Sequence, residues 1–128
     1  MMRRQSIYLS TFPHVNPTPA ASRIDNMVYS AVIYGRDPEN QQVPEDIDRQ
    51  CAFMFGHVCA IVEAAGGTPD DIIKMTLWMA DKSQRSVVNR HWEALFPDAD
   101  SRPARHTLDG RFEGNTLIQC NFIAVLRS

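Results

Sequence analysis

Hydrophobic and polar positions change period several times along the chain, and each change marks an element. The clearest helical repeat begins at Ile47, with apolar residues recurring at Cys51, Met54, Phe55, Val58, Val62 and Ala65 in steps of three and four. The acidic string "EDID" sits at its positive end, and Gly66 follows where a left-handed cap is wanted. The next stretch, "TPDDIIKMTLWMAD", opens as a turn and then alternates. Ile73, Met75, Leu77 and Met79 fall on one side, and Lys74, Thr76 and Trp78 on the other, the two-residue repeat of a strand. A second helix is predicted from "DKSQ", where Asp81 and Gln84 have capping-box spacing. It carries Val88, Trp92, Leu95 and Phe96 on one face and stops at Pro97.

The flanking segments read as strands and turns. "SIYLS" suits an edge strand, and the Pro-rich "FPHVNPTPAAS" an extended connection. "DN" marks a turn before a β-branched and aromatic run from Met27 to Tyr34, and "GRDPENQQVP" is a polar loop. Two strands close the chain, "ARHTLDG" and "TLIQCNFIAVL". In the last one, Ile118, Cys120, Phe122, Ala124 and Leu126 form a wholly apolar face that should pack under the helices. The opposite face reads Leu117, Gln119, Asn121, Ile123 and Val125, two amides inside an apolar frame. That mixture suits an inter-subunit surface holding a polar pocket. The predicted order is β-β-β-α-β-α-β-β, an α+β fold with both helices on one side of a sheet, in a single domain over residues 1–128.

Composition narrows the function classes. The 13 basic and 15 acidic residues leave a formal charge of −2, which argues against a dedicated nucleic-acid binder. No apolar run approaches the roughly 20 residues that span a bilayer, so no membrane partner is expected. The two arginines of "MMRRQSIYLSTFPH" precede no apolar stretch of the kind a secretory signal carries. Cys51, Cys59 and Cys120 form no CxxC pair and read as reduced thiols of a cytoplasmic protein. His14, His57, His91 and His106 show no metal-binding spacing, so no metal site is expected.

Several strings in order resemble the Rid family, the YjgF-type reactive-intermediate deaminases. They are "DNMVYS", "IVEAAGGTPDDIIKMTLWMAD", "VNRHWEALFP", "RPAR" and the final "IAVL", covering the chain from Asn16 to Leu126. The resemblance implies a chorismate-mutase-like fold and a homotrimer in which three sheets form an inner barrel, with a ligand cleft at each subunit interface. It also implies hydrolysis of a small 2-imino or enamine acid to ammonia and the 2-keto acid, with no cofactor. The partner would be a small carboxylate-containing metabolite. Other members have been assigned to ligand binding, aminomuconate-type deamination or RNA cleavage.

Carried over residue by residue, Arg105 matches the arginine of the "PAR" motif that grips the substrate carboxylate. A guanidinium suits that task because its planar fork makes two parallel charge-assisted hydrogen bonds and stays protonated. Gln119 stands where the resemblance places a glutamate that holds the attacking water; an amide orients water but takes no proton from it. Thr18 replaces a loop tyrosine, and Ala31, Val32 and Ile33 replace "SGQ" in the pocket wall. Asn89 falls at the family's helix asparagine, structural or at the pocket edge. Arg102 reads as a solvated loop charge, and His14 as a loop histidine. His106 points away from Arg105, Cys120 is a packed thiol, and Trp78 and Trp92 are core or interface aromatics. Two readings remain open: a hydrolytic deaminase that relies on anchoring and a positioned water, and a non-catalytic carboxylate-binding trimer, which Gln119 favours. RNA cleavage lacks a basic stripe or exposed aromatic platform.

Overall fold

The computed structural model describes residues 2–127. Its strands are β1 (Arg4–Ile7), β2 (Ala21–Ile24), β3 (Met27–Ser30), β4 (Ile33–Tyr34), β5 (Ile72–Met79), β6 (Ala104–Asp109) and β7 (Ile118–Val125). Helix α1 (Ile47–Ala64) lies between β4 and β5, and α2 (Arg85–Leu95) between β5 and β6. They form one sheet in the order β1-β2-β3-β7-β5-β6, with β4 also pairing with β7. Only β5 and β6 run parallel, joined by the crossover through α2; the other pairings are antiparallel.

Alternation along β7 divides the sheet into two faces. Ile118, Cys120, Phe122 and Ala124 are buried, and across the strand gap they meet the equally buried Met79, Leu77, Met75 and Ile72. Both helices cover this face. Met54, Val58, Ile61 and Val62 of α1 and Val88 and Trp92 of α2 complete one continuous core. Asp46 caps α1 by accepting from the Asp48 and Arg49 amides, and Gly66 ends it at a left-handed φ of 100°. From β2, Arg23 donates to the Ala65 carbonyl at 2.8 Å and ties that helix end to the sheet.

The structure departs from the sequence expectations at four places. The Met27–Tyr34 run is two strands, so four precede α1 instead of three. Tyr29 pairs with Ile123 but Ile33 with Cys120, which leaves one extra residue between them. The Ser30 hydroxyl fills the gap, accepting from the Phe122 amide and donating to the Ala31 carbonyl, each at 2.8 Å. A second bulge moves Ile73 off the core face: Ile72 pairs with Ala124 and Lys74 with Ile123, and Ile73 is left 57% exposed. Asp81 binds the Ser83 amide and hydroxyl instead of forming a box with Gln84, and a short 3-10 turn over Lys82–Gln84 precedes α2. The first strand lies slightly earlier than "SIYLS", and Tyr8 is exposed.

The helix also buries a glutamine that its apolar repeat did not reveal. Gln50 is fully enclosed. Its Nε2 donates to the Pro44 and Asn115 carbonyls at 2.7 and 2.8 Å, and its Oε1 accepts from the Leu117 amide at 2.9 Å. All the hydrogen-bonding capacity that matters is used. Gly35 makes this approach possible, since a Cβ there would lie 2.3 Å from the Gln50 carbonyl oxygen.

Replacing Gln50 with leucine keeps much of the volume but strands three backbone groups. We expect Gln50→Leu to lose about 1–3 kcal/mol of stability for the unpaired groups, read as a lower urea midpoint with an unchanged slope. An unchanged midpoint would mean that water reaches these groups.

Candidate functional site

Two clusters of polar groups stand out, and they lie on opposite faces of the sheet. The first gathers at the β6 edge on the helix side. Arg105 pairs in register with Met75 and Thr107 with Leu77, so both side chains share the face of those core residues. From α2, Asn89 and Trp92 lie one turn apart and meet them. Arg105 Nη2 donates to Asn89 Oδ1 at 2.8 Å and Nε to Thr107 Oγ1 at 3.2 Å, while the guanidinium carbon sits 5.2 Å from the Trp92 ring centroid. These contacts fix the plane of the guanidinium and leave Nη1 uncommitted among the described residues. Partial burial, then the neighbouring Arg85 charge, lowers the Arg105 pKa, although an arginine remains protonated at neutral pH. A half-desolvated cation set over an indole and oriented by two hydrogen bonds is suited to gripping a carboxylate.

The second cluster occupies the open face. Gln119 pairs with Trp78 on one side and Tyr34 on the other, out of phase with the buried residues of β7. It lines an open concavity of about 560 Å³ with Tyr34, Val43, Arg111, Phe112 and Asn115. Half-buried, it has no side-chain hydrogen bond among the described residues. Within one chain, therefore, Arg105 and Gln119 do not share a pocket. Neither Thr18 nor Ala31 lines this concavity. Thr18 is exposed, its amide bonded to the Asn16 carbonyl, and the Ala31 amide donates to the Ala20 carbonyl.

The remaining sequence candidates have structural placements. Arg102 is no free loop charge: its Nε donates to the Phe96 carbonyl at 2.8 Å and secures the end of α2. His106 is exposed on the face opposite Arg105. Cys120 is fully buried and its thiol pKa is pushed up by burial; burial likewise raises Cys51 to about 12. Neither is a thiolate nucleophile. Sequence reasoning missed Thr107, which the alternation from Arg105 could have supplied, and it assigned Trp92 only to packing. The N-terminal loop is anchored by Phe12, buried against His57 at 4.4 Å between ring centroids and beneath the Arg36 guanidinium at 4.5 Å. His14 packs edge-on against the same ring. Arg36 bonds the Pro13 carbonyl and the Tyr34 hydroxyl, joining this loop to the wall of the Gln119 concavity.

Comparison with known proteins gives consistent matches. A model of the family described as endoribonuclease L-PSP matches residues 11–115. The 2-iminobutanoate/2-iminopropanoate deaminase of Escherichia coli strain K12 is 30% identical over 115 residues, 88% of this chain and 90% of that protein. The crystal structure of the E. coli YjgF gene product matches with a TM-score of 0.87 at 29% identity, covering 96% of this chain and 99% of that one. E. coli TdcF with bound serine matches with a TM-score of 0.87 at 26% identity, over 97% and 99% of the two chains. No helix among the described residues is long and apolar enough to cross a membrane.

The loop anchor has a pH dependence. His57 Nε2 lies 2.6 Å from the Arg36 carbonyl, which can only accept, so that nitrogen carries the proton. Burial lowers the His57 pKa, the carbonyl contact opposes this, and the Arg36 charge adds to the lowering. The unfolded chain therefore protonates first, near the ordinary histidine value of about 6.5. Stability is complete above that value and falls as pH drops through it towards the folded pKa. We expect the urea midpoint to decline between pH 7 and 5, and to decline less in His57→Asn. Equal slopes would remove His57 as the cause. Asp48, whose pKa is lowered chiefly by its hydrogen bond with His91, acts in the lower carboxylate range.

Proposed function

The chain belongs to the endoribonuclease L-PSP family, the Rid or YjgF-type family, and on that premise we propose a hydrolytic deaminase of a small 2-imino or enamine carboxylate. Its site is assembled between copies of the chain. The observation that carries this reading is the Arg105 guanidinium, oriented by Asn89 and Thr107 with Nη1 left for a ligand. The opposite placement of Gln119 supports the between-copies arrangement, because only a neighbouring chain can bring that face to Arg105. The open face also needs a cover: Tyr29 is 56% and Met27 37% exposed, and Trp78, Ile123 and Val125 are only partly buried. A homotrimer closing these faces on one another meets that need.

In this mechanism Arg105 of one copy holds the carboxylate and Gln119 of the next orients a water against the imine carbon. The water oxygen bonds to that carbon as the C=N π pair moves to nitrogen, and the water proton passes to the nitrogen through solvent. The resulting carbinolamine then loses ammonia and leaves the 2-keto acid. Gln119 contributes orientation and no proton acceptor, so the substrate's own basic nitrogen does that work. The absence of a carboxylate at this position also favours a second reading, a trimer that binds a carboxylate metabolite without turning it over.

The test is ammonia release from 2-iminobutanoate generated in situ, with spontaneous hydrolysis subtracted. We expect activity in the native chain and its loss in Arg105→Ala, which should also weaken a bound acid such as pyruvate by about 1.5–3 kcal/mol. Acid binding with no turnover would select the second reading; no effect at Arg105 would remove both.

Restoring a base gives an independent check. Gln119→Glu should raise the rate, by less than the ~10²–10⁴-fold typical of a general base, because Ala31 and Thr18 add little polar support. A native rate equal to that of the variant would show that another group activates the water. Sedimentation equilibrium should give three times the chain mass, and a monomer at micromolar concentration would overturn the shared site.

A further inference from the structure

Resting on the between-copies reading, we infer that the concavity around Gln119 is a second anion subsite anchored by Arg111, and that the substrate carries a second acidic group beyond its imino-acid end. The walls of this concavity are fixed at a cost the core alone does not require. The buried Gln50 holds the Pro44 and Asn115 carbonyls and the Leu117 amide, and Asn115 Nδ2 donates to the Val43 carbonyl at 3.3 Å. One buried amide thus ties both loops bordering Gln119 to α1, and preorganised walls reduce the ordering cost of binding.

The turn that bears Arg111 is held as well. The Phe112 ring lies so close to Gly110 that a Cβ there would come within 2.4 Å of the ring and 2.9 Å of the Trp78 Cβ. The Phe112 ring fills the space a Gly110 side chain would take, which packs the residue after Arg111 against the one before it. Arg23, Arg36, Arg85, Arg90 and Arg102 are each committed to a carbonyl or carboxylate. Arg111, like the exposed Arg3, Arg4, Arg49 and Arg127, makes no side-chain hydrogen bond or ion pair among the described residues, and of these it is the one that lines the concavity, on its exposed side. Gln119 is left to its water, and the same lining carries Tyr34, whose hydroxyl accepts from Arg36 and so keeps its own proton to donate. Two donors thus border one space, and an acidic group is the ligand that satisfies them. Glu113 lines the same space, exposed and unpaired with Arg111, and opposes an anion there.

Those opposed charges make the sign of the ligand testable. The probes are 2-oxoglutarate and 2-oxobutanoate, keto acids that differ by a distal carboxylate, titrated calorimetrically into the full chain. We expect the dicarboxylate to bind roughly tenfold tighter, the increment of a charge-assisted contact. Arg111→Ala should remove that preference and Glu113→Gln should widen it, while Arg105→Ala weakens both acids. Equal affinities in the native chain, or a preference that survives Arg111→Ala, overturn the subsite and leave the Arg105 reading standing. A preference narrowed by Glu113→Gln overturns the anionic assignment. Loss of the preference in Arg111→Ala with no effect of Arg105→Ala sustains the subsite and removes the Arg105 reading. If neither acid binds the native chain, both fall together.

Discussion

Strand β7 hydrogen-bonds on both edges, to β3 and β4 on one side and to β5 on the other, and its two-residue repeat governs the rest of the molecule. The buried set from Ile118 to Ala124 can face only the helices. Once that is fixed, Gln119 must face away, because a one-residue slip would place both amides in the core and turn Phe122 outward. The same register, carried across β5 into β6, puts Arg105 on the helix side. The separation of Arg105 and Gln119, the two candidate site residues, is thus a consequence of core packing, and no local rearrangement of one chain could reunite them.

That constraint explains why so much of the candidate site was legible in the sequence, and the irregular positions show why the rest was not. Period-two alternation of "LIQCNFIAV" and the helical spacing from Ile47 report burial directly, so the layers, the helices and the odd position of Gln119 could be read. Ile73 could not, because a bulge adds one residue without altering composition, and Ile72 and Ile73 are chemically identical. The break after Ser30 was hidden for a similar reason: a serine hydroxyl supplies a ladder bond that no hydrophobic pattern encodes. Gln50 and His57 were missed because periodicity counts apolar residues, whereas both are buried by virtue of their hydrogen bonds. Thr107 and Trp92 fell in expected elements, but their relation to Arg105 depends on how the parallel pairing of β5 with β6 sets the edge strand against α2.

The two buried polar residues do different work from the apolar core around them. Burial of Met54, Val58 and Ile61 drives collapse, with little preference among nearby arrangements of the loops. Gln50 and His57 specify those arrangements, since each loses its partners if the loop carbonyls shift. Gln50 sets the walls of the Gln119 concavity; His57, through Arg36 and Phe12, sets the N-terminal loop that leads to Thr18. Polar groups in the core of this chain therefore mark the segments whose shape matters at the surface.

An isolated copy would also present a hazard. Its open face combines Met27, Tyr29, Ile123, Val125 and Trp78, and the sheet has free edges at β1 and β6. The β1 edge is guarded by Arg3 and Arg4, charges that discourage pairing with another strand. Lys74, in register with Ile123, puts one charge on the open face, but around Gln119 the groups that interrupt it, Gln119 itself, Asn121 and Thr76, are neutral. Neutral hydrogen-bonding groups tolerate enclosure between subunits far better than lysines or glutamates would, because enclosure costs them only the hydrogen bonds they fail to replace. A face built this way is suited to being covered by copies of itself, and covering it dries the space around Gln119. Drying would strengthen every contact to a bound anion and shield a positioned water from bulk exchange. The feature that makes the lone chain a poor surface is thus the one that would make the assembled site effective.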